Sequence, residues 1–116
     1  MKIGITGSRS CEDRKLVFNA LAKHKPSAII AGGAKGADSL AKQYAINNGI
    51  EYIEKLPRFK TDQSTPYHPR WYMERNKEIV ASCDLLLAFW DGKSKGTANT
   101  IKTGRKQNKE IIIIDL

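Results

Sequence analysis

Apolar residues recur along this chain in two rhythms: short unbroken or alternating runs, and longer stripes spaced as on one face of a helix. Lys2-Ile-Gly-Ile-Thr6 alternates and stops at Gly7-Ser8-Arg9, the form of a strand that runs into a glycine turn. Ser10 and Asp13 have the spacing of a capping box, and Leu16, Val17, Ala20 and Leu21 then predict a helix that Pro26 stops. Ala28-Ile-Ile-Ala31 is apolar on both faces, as in a parallel sheet covered by helices. Ala37, Leu40, Ala41, Tyr44 and Ala45 form the next stripe, alanine-rich enough to lie close to a sheet and ended by Gly49 at C′. Ile50 to Glu54 predicts a third strand. A long connection follows from Lys55 to about Pro69, and a loop of that length in so small a chain is expected to be functional or disordered rather than a plain connector. Pro69 suits the first position of a third helix, in which Tyr72, Asn76, Ile79, Val80 and Cys83 share a face. Asp84 to Trp90 is a fourth strand and Asp91 to Thr97 a second glycine-bearing turn. A fourth helix runs to about Gln107 with Ala98, Ile101 and Arg105 on one side, and Ile111 to Ile114 is expected to be the last buried strand.

Strands and helices therefore alternate, which predicts an α/β chain folded as one Rossmann-like, doubly wound domain over residues 1–116. The expected sheet has five parallel strands in the order 3-2-1-4-5, with helices on both faces and the switch point between strands one and four. Ligands of such sheets bind beyond the carboxyl ends of the strands at that switch point. Three loops converge there: Gly7-Ser8-Arg9, Gly32 to Asp38, and Trp90 to Thr97.

Composition adds a charge of +8, from 20 basic against 12 acidic residues in 116. A surplus of this size favours partners that carry phosphate. It is concentrated between Lys93 and Lys109, where six basic residues stand with no acidic one, a face suited to nucleic acid. No apolar run is long enough for a membrane span, and the N-terminus enters a strand directly, so a cytoplasmic, membrane-free protein is expected. Cys11 and Cys83 are far apart and fit reduced thiols.

The turns lack familiar signatures. No Gly-x-Gly-x-x-Gly follows the first strand, and Gly92-Lys93-Ser94 lacks the upstream glycine of a P-loop because Leu87 occupies its place. No His/Cys/carboxylate cluster has metal spacing, so no metal and no defined cofactor are expected. What remains suits phosphate and ribose. Gly7, Ser8 and Arg9 offer a hydroxyl and a bidentate fork. Gly32, Gly33, Ala34, Lys35 and Gly36 offer backbone N–H groups, and Asp38 accepts from a ribose hydroxyl or caps its own helix. Gly92, Ser94, Gly96 and Thr97 open the fourth helix with N–H and hydroxyl donors. Arg75 and Asn76 point at the sheet, where an arginine needs a partner, and Trp90 is placed to stack on a base or to fill the core. Asp91 is the one carboxylate near the presumed reacting centre. If the chain is an enzyme, Arg75 and Asp91 are its catalytic candidates.

Thr6-Gly-Ser-Arg9, Gly32-Gly-Ala-Lys-Gly-Ala-Asp38, Arg75-Asn76 and Asp91-Gly-Lys-Ser-Lys-Gly-Thr97 together resemble the SLOG superfamily, and within it the YspA, or YpsA-related, branch. The resemblance covers nearly the whole chain. It implies a Rossmann-like domain that binds a nucleotide-derived small ligand of the NAD, ADP-ribose or nucleoside phosphate type, as sensor, carrier or sequestering protein. It also implies a homodimer paired through helices. The LOG phosphoribohydrolases, more distant relatives, cleave the N-glycosidic bond of nucleoside monophosphates with an arginine that Arg75 matches and a glutamate whose place Thr100 takes here. A threonine cannot stabilise an oxocarbenium-like centre, so binding without hydrolysis is the expectation, with Asp91 or Glu74 the substitutes in an enzyme. The Gly32–Asp38 block also resembles DprA, a single-stranded DNA-binding relative, which implies nucleic acid as the alternative partner.

Overall fold

The computed structural model describes all residues from Met1 to Leu116. Its elements are β1 (Lys2–Gly7), α1 (Arg14–His24), β2 (Ala28–Ala31), α2 (Ala37–Asn48), β3 (Glu51–Glu54), α3 (Arg58–Thr61), α4 (Arg70–Ser82), β4 (Leu85–Trp90), α5 (Lys95–Lys106) and β5 (Glu110–Asp115). The strands pair in parallel in the order β3-β2-β1-β4-β5. This is the Rossmann-like order expected from the alternation of runs and stripes, with the switch point between β1 and β4.

Strand parity divides the core in two. Ile3, Ile5, Ile29, Ala31, Leu85, Leu87 and Phe89 face α1 and α2, while Ile30 and Leu86 face Ile79, Val80 and Cys83 at the end of α4. Ala37, Ala41 and Ala45 of α2 are fully buried, so that helix rides close to the sheet. At its nearest approach a Cβ on Gly7 would stand 2.5 Å from the Ala37 Cβ, which leaves room in β1 for glycine only. This contact draws the start of α2 over the end of β1 and fixes the distance between two of the three loops.

The structure differs from the sequence pattern at the margins. Asp13 itself is the N-cap of α1, accepting from the Leu16 N–H at 3.0 Å; Ser10 lies in the preceding turn, so no capping box forms. Pro69 is the N-cap of α4 rather than its first residue. β5 is an edge strand, flanked on one side only, and Ile113 is 36% exposed where a buried strand was expected. α5 buries Thr97, Thr100, Ile101 and Gly104 rather than the side that carries Arg105, because Gly104 lets the helix settle onto Ile111. The connection at 55–69 holds α3 and packs against α4 through an Arg58–Glu74 ion pair of 2.8 Å. No helix is long and apolar enough to cross a membrane.

Candidate functional site

β1, β2 and β4 end on the same edge of the sheet, and their three loops enclose a cleft of about 520 Å³. Gly7, Ser8, Arg9, Gly32, Gly33, Ala34, Asp38, Arg75, Asn76, Asp91, Ser94, Gly96 and Thr97 all line it. Lys35, Gly36, Gly92 and Trp90 do not. Lys35 is exposed beside the glycine turn. Gly36 and Gly92 carry the positive φ angles that shape their turns, 85° and 78°. Trp90 turns away and donates its indole N–H to the Ser94 carbonyl at 3.1 Å, bracing the β4–α5 loop.

Ser8 ties the first loop to the third, and Asp38 braces the second from within. Ser8, 1% exposed, donates its backbone N–H to Phe89 O at 2.9 Å, and its hydroxyl accepts from the Asp91 N–H at 3.2 Å. Asp38 caps no helix. Its Oδ2 accepts from the N–H groups of Gly32 and Ala34, at 3.2 and 3.1 Å, and so ties the glycine turn to the first turn of α2. Its Oδ1 is buried with no partner. Burial pushes the Asp38 carboxyl up to about 6, against the lowering effect of those hydrogen bonds and of the Arg75 charge.

Arg75 finds carbonyls in place of the carboxylate an inward-pointing arginine would usually require. Its Nη1 donates to Gly32 O at 2.9 Å and to Lys55 O at 3.4 Å, and its Nε to Asn76 Oδ1 at 2.9 Å. The guanidinium thus clamps the glycine turn from the α4 side while Asp38 holds it from the α2 side. Desolvation lowers the Arg75 pKa, and Nη2 has no acceptor in the chain.

The third loop presents backbone N–H groups and hydroxyls at the start of α5. Asp91 Oδ1 accepts from the N–H groups of Lys93 and Ser94, each at 2.8 Å, which sets the turn into α5; those bonds hold its carboxyl below the usual range. The next three N–H groups, of Lys95, Gly96 and Thr97, have no acceptor in the chain, and α5 has no side-chain cap and no acidic residue in its first turn. Ser94 and Thr97 place their hydroxyls 3.2 Å apart beside them. Free N–H groups at the positive end of a helix, flanked by hydroxyls and Lys93 and Lys95, attract an anion.

Gly96 is informative here. Its φ is not positive, and a Cβ built on it would meet nothing within 4 Å, so the fold does not require glycine at this position. Gly96→Ala is expected to leave the melting temperature unchanged or raise it, since alanine is the better helix former by about 1 kcal/mol. The same variant is expected to weaken AMP at least about ten-fold, a loss of about 1.4 kcal/mol. A lowered melting temperature with unchanged affinity would remove Gly96 from the site.

The cleft also contains Thr6, Ser10, Lys60, Tyr72 and Thr100, which the sequence pattern did not single out as ligand contacts. Thr100 stands one helical turn beyond Gly96, a spacing that brings it to the same face; its hydroxyl bonds back to Gly96 O at 3.0 Å. Lys60 arrives on α3, for which the sequence carries no periodic signal. Glu74 lies elsewhere, paired with Arg58 in a second cleft of about 370 Å³ between β3, α3 and α4. On the basic 93–109 segment, Lys109 is engaged, its Nζ donating to Cys83 O.

A family model described as YAcAr, the YspA, cpYpsA-related SLOG family, matches residues 1–61. The Gene 61 protein of Mycobacterium phage D29 is 32% identical over 117 aligned residues, which cover 96% of this chain and 94% of that protein. The DNA processing protein A (DprA) of Streptococcus pneumoniae superposes with a TM-score of 0.78 at 18% identity, over 97% of this chain and 49% of that one. DprA of Helicobacter pylori, in a structure described by its single-stranded DNA binding mode, gives 0.77 at 19% identity over 97% and 64%. TM1055 gives 0.68 at 17% identity over 95% and 71%. At these identities the structural likeness is one of fold, and this chain spans about half to two thirds of the DprA chains.

Proposed function

The chain belongs to the YspA, cpYpsA-related SLOG family, and we propose that it binds a small nucleotide-derived ligand in the cleft at the carboxyl edge of the sheet. The ligand class is NAD, ADP-ribose or a nucleoside phosphate, and residues 1–116 act as one binding domain that senses, carries or sequesters it. The observation that carries this reading is the uncapped start of α5, where the unpaired N–H groups of Gly96 and Thr97 share one cleft with Ser94 and Arg9. The cleft volume lies within the range of small-molecule sites. Two buried free thiols, Cys11 and Cys83, suit a reducing compartment such as the cytoplasm. Pairing of two copies through helices belongs to the same proposal.

Binding without turnover fits the side chains better than catalysis. Asp91 Oδ1 accepts from two backbone N–H groups, and those bonds favour its ionised form, which suits a turn brace better than a proton donor. Thr100 places a hydroxyl, itself hydrogen-bonded, where hydrolytic relatives of the resemblance use a carboxylate.

A second reading, single-stranded nucleic acid along the same edge, is supported by the charge of +8 and by the DprA-like fold. One experiment separates the two. Thermal shift with AMP, ADP-ribose and NAD is expected to raise the melting temperature by about 10 °C at about a hundred-fold excess over Kd, equivalent to about 2.7 kcal/mol. A flat response to all three, with a single-stranded oligonucleotide bound in a steeply salt-dependent manner, would replace the small ligand by nucleic acid.

A further inference from the structure

The segment between β3 and α4 folds into an ordered arm at the mouth of the cleft. α3 opens it. Asp62 then gathers the Ser64 N–H at 3.0 Å, the Ser64 hydroxyl at 2.6 Å and the Thr65 hydroxyl at 3.0 Å, and the Trp71 indole N–H returns to Pro66 O at 3.1 Å. Three rings meet on this arm. Phe59 lies 5.1 Å from Tyr67 and 5.6 Å from Tyr72, centroid to centroid, at interplanar angles of 81° and 67°, and Tyr67 and Tyr72 are 6.5 Å apart.

None of the three rings belongs to either hydrophobic core, and Tyr67 is 64% exposed. Edge-to-face packing nevertheless holds them in fixed relation, which sets the Tyr72 ring against the cleft. Tyr72 is the one aromatic side chain in the cleft wall, where Lys60 accompanies it. The Arg75 guanidinium stands 5.5 Å from the Tyr72 centroid, so a planar cation and an aromatic ring form a pair there. The rest of the lining is mostly glycine, hydroxyl and charge. A phosphate makes no use of an aromatic ring, and a ribose gains little from one beside what a base gains by stacking. A nucleobase makes use of one, because its flat, weakly hydrated face stacks on tyrosine and on guanidinium alike.

We propose that Tyr72, steadied by Phe59 and Tyr67 and flanked by Arg75, is the base-stacking wall of the cleft, so that the ligand is recognised by its nucleobase as well as by its phosphate. This rests on the nucleotide reading above and deepens it. The base lies against the α4 wall while the phosphate lies at the start of α5, and the sugar spans the glycine turn between them. Stacking of this kind tolerates any base, so the wall supplies affinity for a base as a class, and hydrogen bonds at its edge would have to choose among them.

Isothermal titration of AMP and of ribose 5-phosphate, against the unaltered chain and against Tyr72→Phe, Tyr72→Leu and Tyr72→Ala, tests this. The unaltered chain is expected to bind AMP about ten-fold or more tighter than ribose 5-phosphate, the size of one base–aromatic stack. Tyr72→Phe keeps that preference. Tyr72→Leu, which keeps an apolar side chain there without a π face, and Tyr72→Ala bring AMP to the level of ribose 5-phosphate and leave ribose 5-phosphate itself unchanged. Equal binding of the two probes by the unaltered chain, or a parallel loss of both in Tyr72→Leu, overturns the base-stacking wall and leaves the phosphate site standing. Binding of neither probe overturns the stacking wall, and a flat thermal response to AMP, ADP-ribose and NAD together overturns the nucleotide reading as well.

Discussion

Gly36→Ala is expected to lower the melting temperature by about 10 °C or more, following a loss of about 3 kcal/mol in a chain of this size. Gly36 precedes α2 with φ 85° and ψ −128°, a conformation that residues with a Cβ essentially do not adopt. Strain of that kind alone is worth about 1–3 kcal/mol. A Cβ at this position would also overlap the Ser8 carbonyl oxygen and reach 3.0 Å from the Arg9 Cα. Both neighbours are backbone, and the Ser8 carbonyl is fixed by the Cys11 N–H at 3.1 Å, so neither can swing aside as a side-chain end would. The overlap adds about 1–3 kcal/mol of its own, as overpacking does elsewhere. Because Gly36 is where the β2–α2 turn presses on the β1–α1 turn, the variant should also spread the cleft and weaken AMP. A melting temperature within about 2 °C of the unaltered chain, less than 1 kcal/mol by the same scaling, would show that the two turns are not in contact. Gly96→Ala supplies the contrast, since it changes a cleft glycine that the fold leaves unconstrained.

These two glycines mark what was legible in the sequence. A parallel sheet followed from runs apolar on both faces, such as Ala28–Ala31, and from helical connections, and the Rossmann-like order 3-2-1-4-5 is one of the doubly wound orders that pattern allows. The meeting of three glycine turns at one edge followed from that order. Side-chain roles were less legible, because they depend on contacts between distant segments. Arg75 needed a partner, yet nothing local to it names the carbonyls of Gly32 and Lys55. Trp90, the aromatic expected to stack or to fill the core, braces Ser94, while Tyr72 stands in the cleft. Tyr72 shares a helical stripe with Ile79 and Cys83 and reads as core; only the overhang of the first turns of α4 beyond the sheet separates it from them. The arm that carries Lys60 depends on an Asp62 turn and a ring cluster, and neither has a period to read.

Stability between pH 4 and 7 is expected to fall through Asp38, and Asp38→Asn is expected to abolish that fall. The carboxyl is raised to about 6 from an ordinary value near 3.8, chiefly by burial, so the folded state binds its proton more tightly than the unfolded chain does. The sign follows. Its stabilising contribution is complete below about pH 4, where both states are protonated, and is lost as the pH rises through 6. At pH 7 the ionised group costs about 3 kcal/mol, two pKa units at 1.36 kcal/mol each. Asparagine keeps a carbonyl oxygen for the Gly32 and Ala34 N–H groups and carries no charge. It also removes one of the two charges that, after burial, push up the pKa of the buried and unpartnered Tyr52 hydroxyl. Asp38→Asn should therefore be the more stable protein at pH 7 and equal to the parent at pH 4. Asp38→Ala removes the acceptor altogether and strands two N–H groups, at about 1–3 kcal/mol each, at every pH. Chemical denaturation of the three proteins at pH 4, 5.5 and 7 reads the difference directly, and groups other than Asp38 cancel in it. Parallel profiles for parent and Asp38→Asn would mean that Asp38 is hydrated in solution and that the glycine turn is open on its α2 side, with Arg75 alone holding it.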